Sequence, residues 1–284
     1  MEKIAVVTDT GSNLSFAQAK ELGIYLLPLQ ITIDETTYQD TLEISTQDIY
    51  NELANGKMPK TSMAAYQKIY DLFEELKKDY DTIFAVPLTN GLSTNASTMQ
   101  SIARELEMNV HVIDTYSTCE LEKHVAIWIK KLVDEHKSSE EILKIIQPAI
   151  DESNSLILVK NLQHLKRGGR LTPMAATLAG LLKIYPVLHI NKSTKGRIDV
   201  LNKVRTEKRA DAYAIDKVMD DIDIQHTHIY IIHSNFLEGA NHFKKCFIEK
   251  GVPEQNIHID YISSVIAVHT GLGCIALQYI RKES

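Results

Sequence analysis

The patterning of this chain predicts an α/β protein of two domains. Short apolar, β-rich runs alternate with helical patterns through the first half. Hairpin spacing around a lysine- and glycine-containing turn appears in the second half. The length, 284 residues, suffices for two compact units. Residues 1–155 are expected to form an N-terminal domain whose mainly parallel sheet carries helices on both faces. Residues 156–284 are expected to form a C-terminal α/β domain with a mixed or antiparallel sheet.

Taken in order, residues 3–8 read as a strand. Ser15 and Gln18 form a capping box for a short helix that stops at Gly23. Residues 26–33 are apolar and β-rich, and Ser45 with Asp48 opens another helix ending near Gly56. Residues 66–78 place Ile69, Leu72, Phe73 and Leu76 on one helical face. A strand at 82–88 runs into a hydroxyl-rich turn, followed by a helix from Ser93, a strand at 110–114, and helices at 120–136 and 139–151. The second half opens with a strand at 156–160, a polar glycine-bearing stretch at 161–172 and an apolar helix at 173–182. Strands at 187–190 and 198–204 flank the turn 191–196 as an antiparallel hairpin. A helix at 208–219, a strand at 228–233, a helix at 237–250 and a strand at 257–261 precede the apolar tail, 265–280.

Bulk properties narrow the function classes. A net charge of -6 argues against nonspecific nucleic-acid binding. Cys119, Cys246 and Cys274 lack C-x-x-C spacing, which suits reduced thiols. No secretory leader is visible, and the apolar stretch 174–190 is interrupted by Lys183 and Pro186. The chain is therefore read as cytoplasmic, with no stable membrane insertion.

Three polar turns, Lys60-Thr61-Ser62, Gly91-Leu92-Ser93-Thr94 and Val268-His269-Thr270-Gly271, each set side-chain donors beside an apolar segment. The turn at Ser93 opens a helix, where free amides and the positive dipole end favour an anion. It holds no lysine and no P-loop spacing, so a carboxylate fits better than a triphosphate. Converging hydroxyls and an imidazole would suit such a group. Equally, Thr61 and Ser62 can serve as a helix cap and His269 as a core histidine. In Leu165-Lys166-Arg167-Gly168-Gly169-Arg170, paired glycines let cations converge, suiting an oxyanion such as phosphate at Gly169 and Arg170. A solvated surface turn is the alternative.

Gly91-Leu92-Ser93-Thr94-Asn95 falls one residue short of a nucleophile elbow, with Asp114 and His269 following in α/β-hydrolase order. A serine hydrolase acting on acyl esters through Ser93, Asp114 and His269 is therefore the rival expectation. Weaker signals are the Gly271–Ala276 glycine pattern, the pair His226 and His228, and Asp9 at the end of the first strand. No metal site is expected. Asp9 either caps the following turn or orients a ligand or another side chain.

Together these segments resemble the DegV family, fatty acid-binding proteins that act with bacterial fatty acid kinase. The resemblance runs in order through Val6-Val7-Thr8-Asp9, Pro28-Leu29, Ile44-Ser45, Lys60-Thr61-Ser62, Leu92-Ser93, Val112-Ile113-Asp114, Leu165–Leu171, Lys183-Ile184-Tyr185-Pro186, Val204-Arg205-Thr206 and His269-Thr270-Gly271. It implies two α/β domains holding one long-chain fatty acid in an apolar tunnel, with no cofactor. It further implies that Thr61, Ser93 and His269, with Ser62 adjacent, bind the carboxylate, and that Arg170 lies beside the head group. A separate ATP-dependent kinase subunit would phosphorylate the carboxylate to an acyl phosphate for phospholipid synthesis, so this chain would be a carrier and not an enzyme. Met63-Ala64-Ala65 and Thr94-Asn95 depart from residues the family often shows there.

Overall fold

Two buried strands organise the first half. The computed structural model describes residues 2–181 and 183–283. Strand β1 (Ile4–Asp9) and, later in the chain, the strand at Thr82–Val86 are buried along their whole length, as expected of parallel strands covered on both faces. Helix α1 (Phe16–Leu22) starts at the Ser15–Gln18 capping box and ends at Gly23, whose φ of 67° is left-handed. Three short strands follow: β2 (Tyr25–Leu27), β3 (Gln30–Ile33) and β4 (Thr36–Gln39). Helix α2 (Thr46–Ala54) is capped by Ser45 and Asp48. Then come β5 (Lys60–Ser62), α3 (Tyr66–Leu76), β6 (Thr82–Val86), α4 (Asn95–Glu105), β7 (Asn109–Val112), α5 (Glu120–Asp134) and α6 (Ser139–Glu152).

One four-stranded sheet, ordered β2-β1-β6-β7, is parallel throughout. Helices α3 and α4 bury Ile69, Phe73, Met99 and Ile102 on one face. Helices α5 and α6 cover the other, where Val125, Ile129, Ile142 and Ile146 meet Val6 and Phe84. A separate antiparallel sheet, β4-β3-β5, packs Ile31 against Ile49, Val265 and Val268.

The remaining elements are β8 (Asn154–Leu158), α7 (Leu162–Arg167), α8 (Pro173–Thr177), β9 (Tyr185–Ile190), β10 (Asp199–Val204), α9 (Glu207–Asp221), β11 (Thr227–His233), α10 (Leu237–Glu249), β12 (Ile257–Tyr261), α11 (Ser264–Thr270) and β13 (Ile275–Arg281). Their six strands form one sheet, β10-β9-β8-β13-β11-β12, antiparallel except for the β11–β12 pair. The fold class is thus α/β, with one parallel and one mixed sheet. Helices α9 and α10 cover one face through Ala214, Val218, Phe243 and Phe247. Helices α7 and α8 cover the other through Leu165 and Ala175. Polar groups stitch the halves together, Tyr50 and Gln278 among them. Tyr50 Oη donates to Ile262 O at 2.6 Å. Buried Gln278 donates to Thr118 O at 2.8 Å and accepts the Glu120 amide at 3.0 Å.

Several expected elements differ. The run 26–33 is two strands in different sheets, because Pro28 has no amide to donate. Thr61 and Ser62 lie on strand β5 and cap no helix. The polar stretch 161–172 contains helix α7, capped by the Asn161 side chain. The helix expected over 173–182 spans only Pro173–Thr177, and Gly180 at φ 98° follows a short turn later; Leu182 lies outside the described residues. The tail divides at Gly271 and Gly273, both with positive φ, into α11 and the interior strand β13.

Candidate functional site

The three polar turns converge on one cavity of about 460 Å3, at the junction of the three sheets. Thr61 arrives on β5, opposite Ile31 of β3. His269 stands in the last turn of α11, and its Nε2 lies 2.7 Å from Thr61 Oγ1. Ser93 ends the turn between β6 and α4, and its Oγ accepts the Asn95 amide at 3.2 Å. All three residues line the cavity, and Ser62 borders it. Ser62, however, follows Thr61 on a strand and points to the opposite face, donating to Gln30 Oε1 at 3.0 Å.

Gly169 and Arg170 close another side. Gly169 turns the chain with φ 73° after α7. Arg170 Nη1 then donates to Gly168 O at 2.7 Å, and Nε donates to Leu92 O at 3.4 Å. The guanidinium therefore spans the glycine turn and the Ser93 turn. Arg197, at the end of the β9–β10 turn, is a second cavity-lining cation that the sequence reading did not single out. Its only sequence signal is proximity to Gly196. No Asp or Glu lines this cavity among the described residues. The electrostatics favour an anion.

Burial pushes His269 down to about 3, with the positive charges of Arg170 and His164 adding to the effect. The imidazole is accordingly neutral over the physiological range. Its Nδ1 faces the Gly168 backbone without a hydrogen bond of ordinary geometry. A neutral imidazole and two hydroxyls offer donors to a carboxylate, while the guanidiniums supply the countercharge. Apolar walls come from Leu29, Met63, Leu88, Leu92, Val265 and Ile266. Cavity-lining Gly91 abuts the backbone of Gly196, which the Thr89 side chain also crowds. A Cβ on Gly91 would stand 2.1 Å from Gly196 O, and one on Gly196 would stand 2.0 Å from Thr89 Oγ1.

The hydrolase triad does not assemble. Asp114 Oδ2 accepts the Asn90 amide at 3.2 Å and Oδ1 accepts the Tyr116 amide at 2.8 Å, so it braces a loop. Among the described residues His269 has no carboxylate partner, and its Nε2 is engaged by Thr61. Among the described residues no base stands at the Ser93 hydroxyl, which accepts the Asn95 amide. Elsewhere, His228 pairs with His258 at 3.0 Å and not with His226, because neighbouring strand β12 brings His258 alongside. No group of three or more potential metal ligands gathers among the described residues, and no helix among them is long and apolar enough to cross a membrane.

A second cavity, of about 770 Å3, lies beyond segment 158–163 and is bounded by Leu162, Leu178, Ile184, Phe243 and Ile275. It shares no lining residue with the first. The apolar space is therefore divided, with buried Leu165, Leu171 and Ala175 grouped between the two.

Residues 3–282 match the model of the uncharacterised DegV protein family. The chain belongs to the DegV family. A DegV domain-containing protein of Halalkalibacterium halodurans is 32% identical over 99% of this chain and 100% of its own length. A crystal structure from Streptococcus agalactiae, described as a fatty acid binding DegV family protein, superposes with a TM-score of 0.91 at 29% identity, covering 100% of both chains. DegV of Bacillus subtilis, described as a fatty acid binding protein, superposes with a TM-score of 0.86 at 26% identity, covering 99% of this chain and 100% of that one.

Proposed function

We propose that this DegV protein is a cytoplasmic carrier of one long-chain fatty acid. Its carboxylate takes hydrogen bonds from Thr61, Ser93 and His269 and lies beside Arg170 and Gly169, with Ser62 at the edge. The supporting observation is that strand, turn and helix from distant parts of the chain bring these donors, and no acid, to one apolar cavity. The solved relatives described as fatty acid binding proteins support the same reading. The acyl chain takes the apolar wall of the smaller cavity and continues toward the larger across Leu165, Leu171 and Ala175. Burying roughly fourteen methylenes at about 0.8 kcal/mol each gives on the order of 11 kcal/mol before ordering costs. The head group thus sets orientation more than affinity.

In this reading the protein makes no bonds itself. It presents a carboxylate oxygen to a separate ATP-dependent kinase subunit, which forms the acyl phosphate used in phospholipid synthesis. The exposed cations Lys166, Arg167, Lys203, Arg205, Lys208 and Arg209 supply the docking surface in this reading. Native mass spectrometry of gently purified protein tests the central claim. A co-purifying long-chain acid, retained one per chain, is expected. A preparation that carries none and takes up no added palmitate would exclude it.

A further inference from the structure

Beneath the Ser93 turn lies a buried carboxylate that the proposed binding chemistry leaves unused. Asp9 ends β1 with no exposed surface. Its Oδ2 accepts the Leu88 amide at 2.9 Å and the Asn95 side-chain amide at 2.7 Å. Its Oδ1 accepts the Gly11 amide at 2.8 Å. Leu88 and Asn95 are the two ends of the turn that carries Ser93, and the Asn95 backbone amide in turn holds Ser93 Oγ. One side chain therefore ties down both ends of the turn and, through Asn95, the hydroxyl between them.

Asp9 does not stand alone. Glu122 on α5 is fully buried beside it, and among the described residues no donor reaches its Oε2. Both carboxyls converge on Gly11, where a Cβ would lie 2.7 Å from Asp9 Oδ1 and 3.1 Å from Glu122 Oε2. Thr8 Oγ1, which donates to Val86 O at 2.7 Å, lies 3.3 Å from the other Glu122 oxygen. No cation pairs with either carboxyl among the described residues. Two uncompensated carboxylates at this depth cannot both ionise, so the pair keeps one proton. Burial raises both carboxyls, Glu122 well above the usual range, but three N–H donors reach Asp9 and none reaches Glu122 Oε2 among the described residues, so the proton is assigned to Glu122. Asp9, facing three amide donors, keeps the charge.

We infer that Asp9 is a positioning residue for the carboxylate site, held in register by a proton it shares with Glu122. This rests on the fatty acid reading of the site. Other titratable groups packed nearby are Asp40, Cys119, and the Glu120–Lys123 ion pair. Burial raises both Asp40, to about 6, and Cys119. Loss of the Glu122 proton would set two like charges against each other under the turn and displace Leu88 and Asn95. Affinity for a fatty acid should then fall on the alkaline side, where neutral His269 no longer titrates.

The test measures palmitate affinity from about pH 6 to about pH 10 for wild type, Glu122→Gln and Asp9→Asn. The glutamine amide still donates to Asp9 but cannot ionise, so its profile should be flat where the wild type declines. Asp9→Asn turns an amide nitrogen toward the Leu88 or Asn95 donors and should weaken binding about tenfold at neutral pH. Parallel profiles for wild type and Glu122→Gln, or wild-type affinity in Asp9→Asn, would overturn the inference. If Asp9→Asn fails to fold, the Glu122→Gln comparison decides. Should wild type itself bind no palmitate, the fatty acid reading fails separately, and hydrogen exchange decides the positioning role. Asp9→Asn, or Glu122→Gln above neutral pH, must then alter protection at Leu88 and Asn95 relative to Ile83 and Ala85 of β6. Unaltered or uniformly altered protection would refute it.

Discussion

Replacing Thr61 by valine removes one hydroxyl while keeping the shape and the β-strand preference of the side chain. With a carboxylate bound, the lost charge-assisted hydrogen bond is worth about 1.5–3 kcal/mol. Part of that is offset, because Thr61 is bonded to His269 Nε2 at 2.7 Å when no acid is present, and the wild type must rearrange that bond on binding. The net effect should therefore sit near the lower end, about tenfold weaker binding. Stability should fall too. The valine leaves the enclosed imidazole without a partner on either nitrogen, a cost of about 1–3 kcal/mol, or a melting temperature lower by roughly 2–10 °C. Radiolabelled palmitate partition and a thermal melt measure the two effects, and Thr61→Ser should restore most of both. A Thr61→Val protein that melts lower yet binds palmitate within about twofold of wild type would show that the hydroxyl serves His269 alone.

Three further outcomes follow from the same geometry. Arg170→Met should weaken palmitate binding by roughly 1.5–3 kcal/mol and reduce its salt dependence, since the guanidinium supplies charge beside the head group; an unchanged salt response would remove Arg170 from the site. Fluorophosphonate should leave Ser93 unlabelled, because among the described residues no base stands at its hydroxyl, and stoichiometric labelling would restore the hydrolase. Acid should destabilise the fold through His124, which burial and the neighbouring charges of His228 and His258 depress to about 4. A depressed histidine favours the neutral folded form, so its stability is complete above the unfolded value near 6.5 and declines as pH falls toward about 4, by on the order of 3 kcal/mol. Urea midpoints of wild type and His124→Gln across that window should diverge, and parallel curves would refute the assignment.

Local chemistry was legible in the sequence where it acts locally. The capping boxes at Ser15 and Ser45 mark their helices, and the strand expected at 257–261 has those bounds as β12. The hairpin around 191–196 also forms as expected, because its turn glycine lies between two β-rich runs. Strand β4 escaped notice because Thr36–Gln39 holds one aromatic, Tyr38, among polar residues, too little for an apolar alternation. Placing Thr61 on a strand required knowing that β3 would pair with it, a contact formed by distant backbone. Of Asp9, the sequence offered a turn cap or an orienting role, and the structure joins the two, since one oxygen caps Gly11 and the other braces the Ser93 turn. Glu122 and Asn95 were invisible as its partners. Each looks like an ordinary helical polar residue until tertiary packing buries it.

Gly91, which lines the cavity, is pressed main chain on main chain against Gly196, next to cavity-lining Arg197. The Thr89 side chain crowds Gly196 from the other side, so neither glycine has room for a larger residue. An alanine at either position would act as a wedge, prising the β9–β10 hairpin from the Ser93 turn and letting water in at the carboxylate end. Such a variant should behave as a leaky vessel: folded, able to load, and quick to lose its cargo.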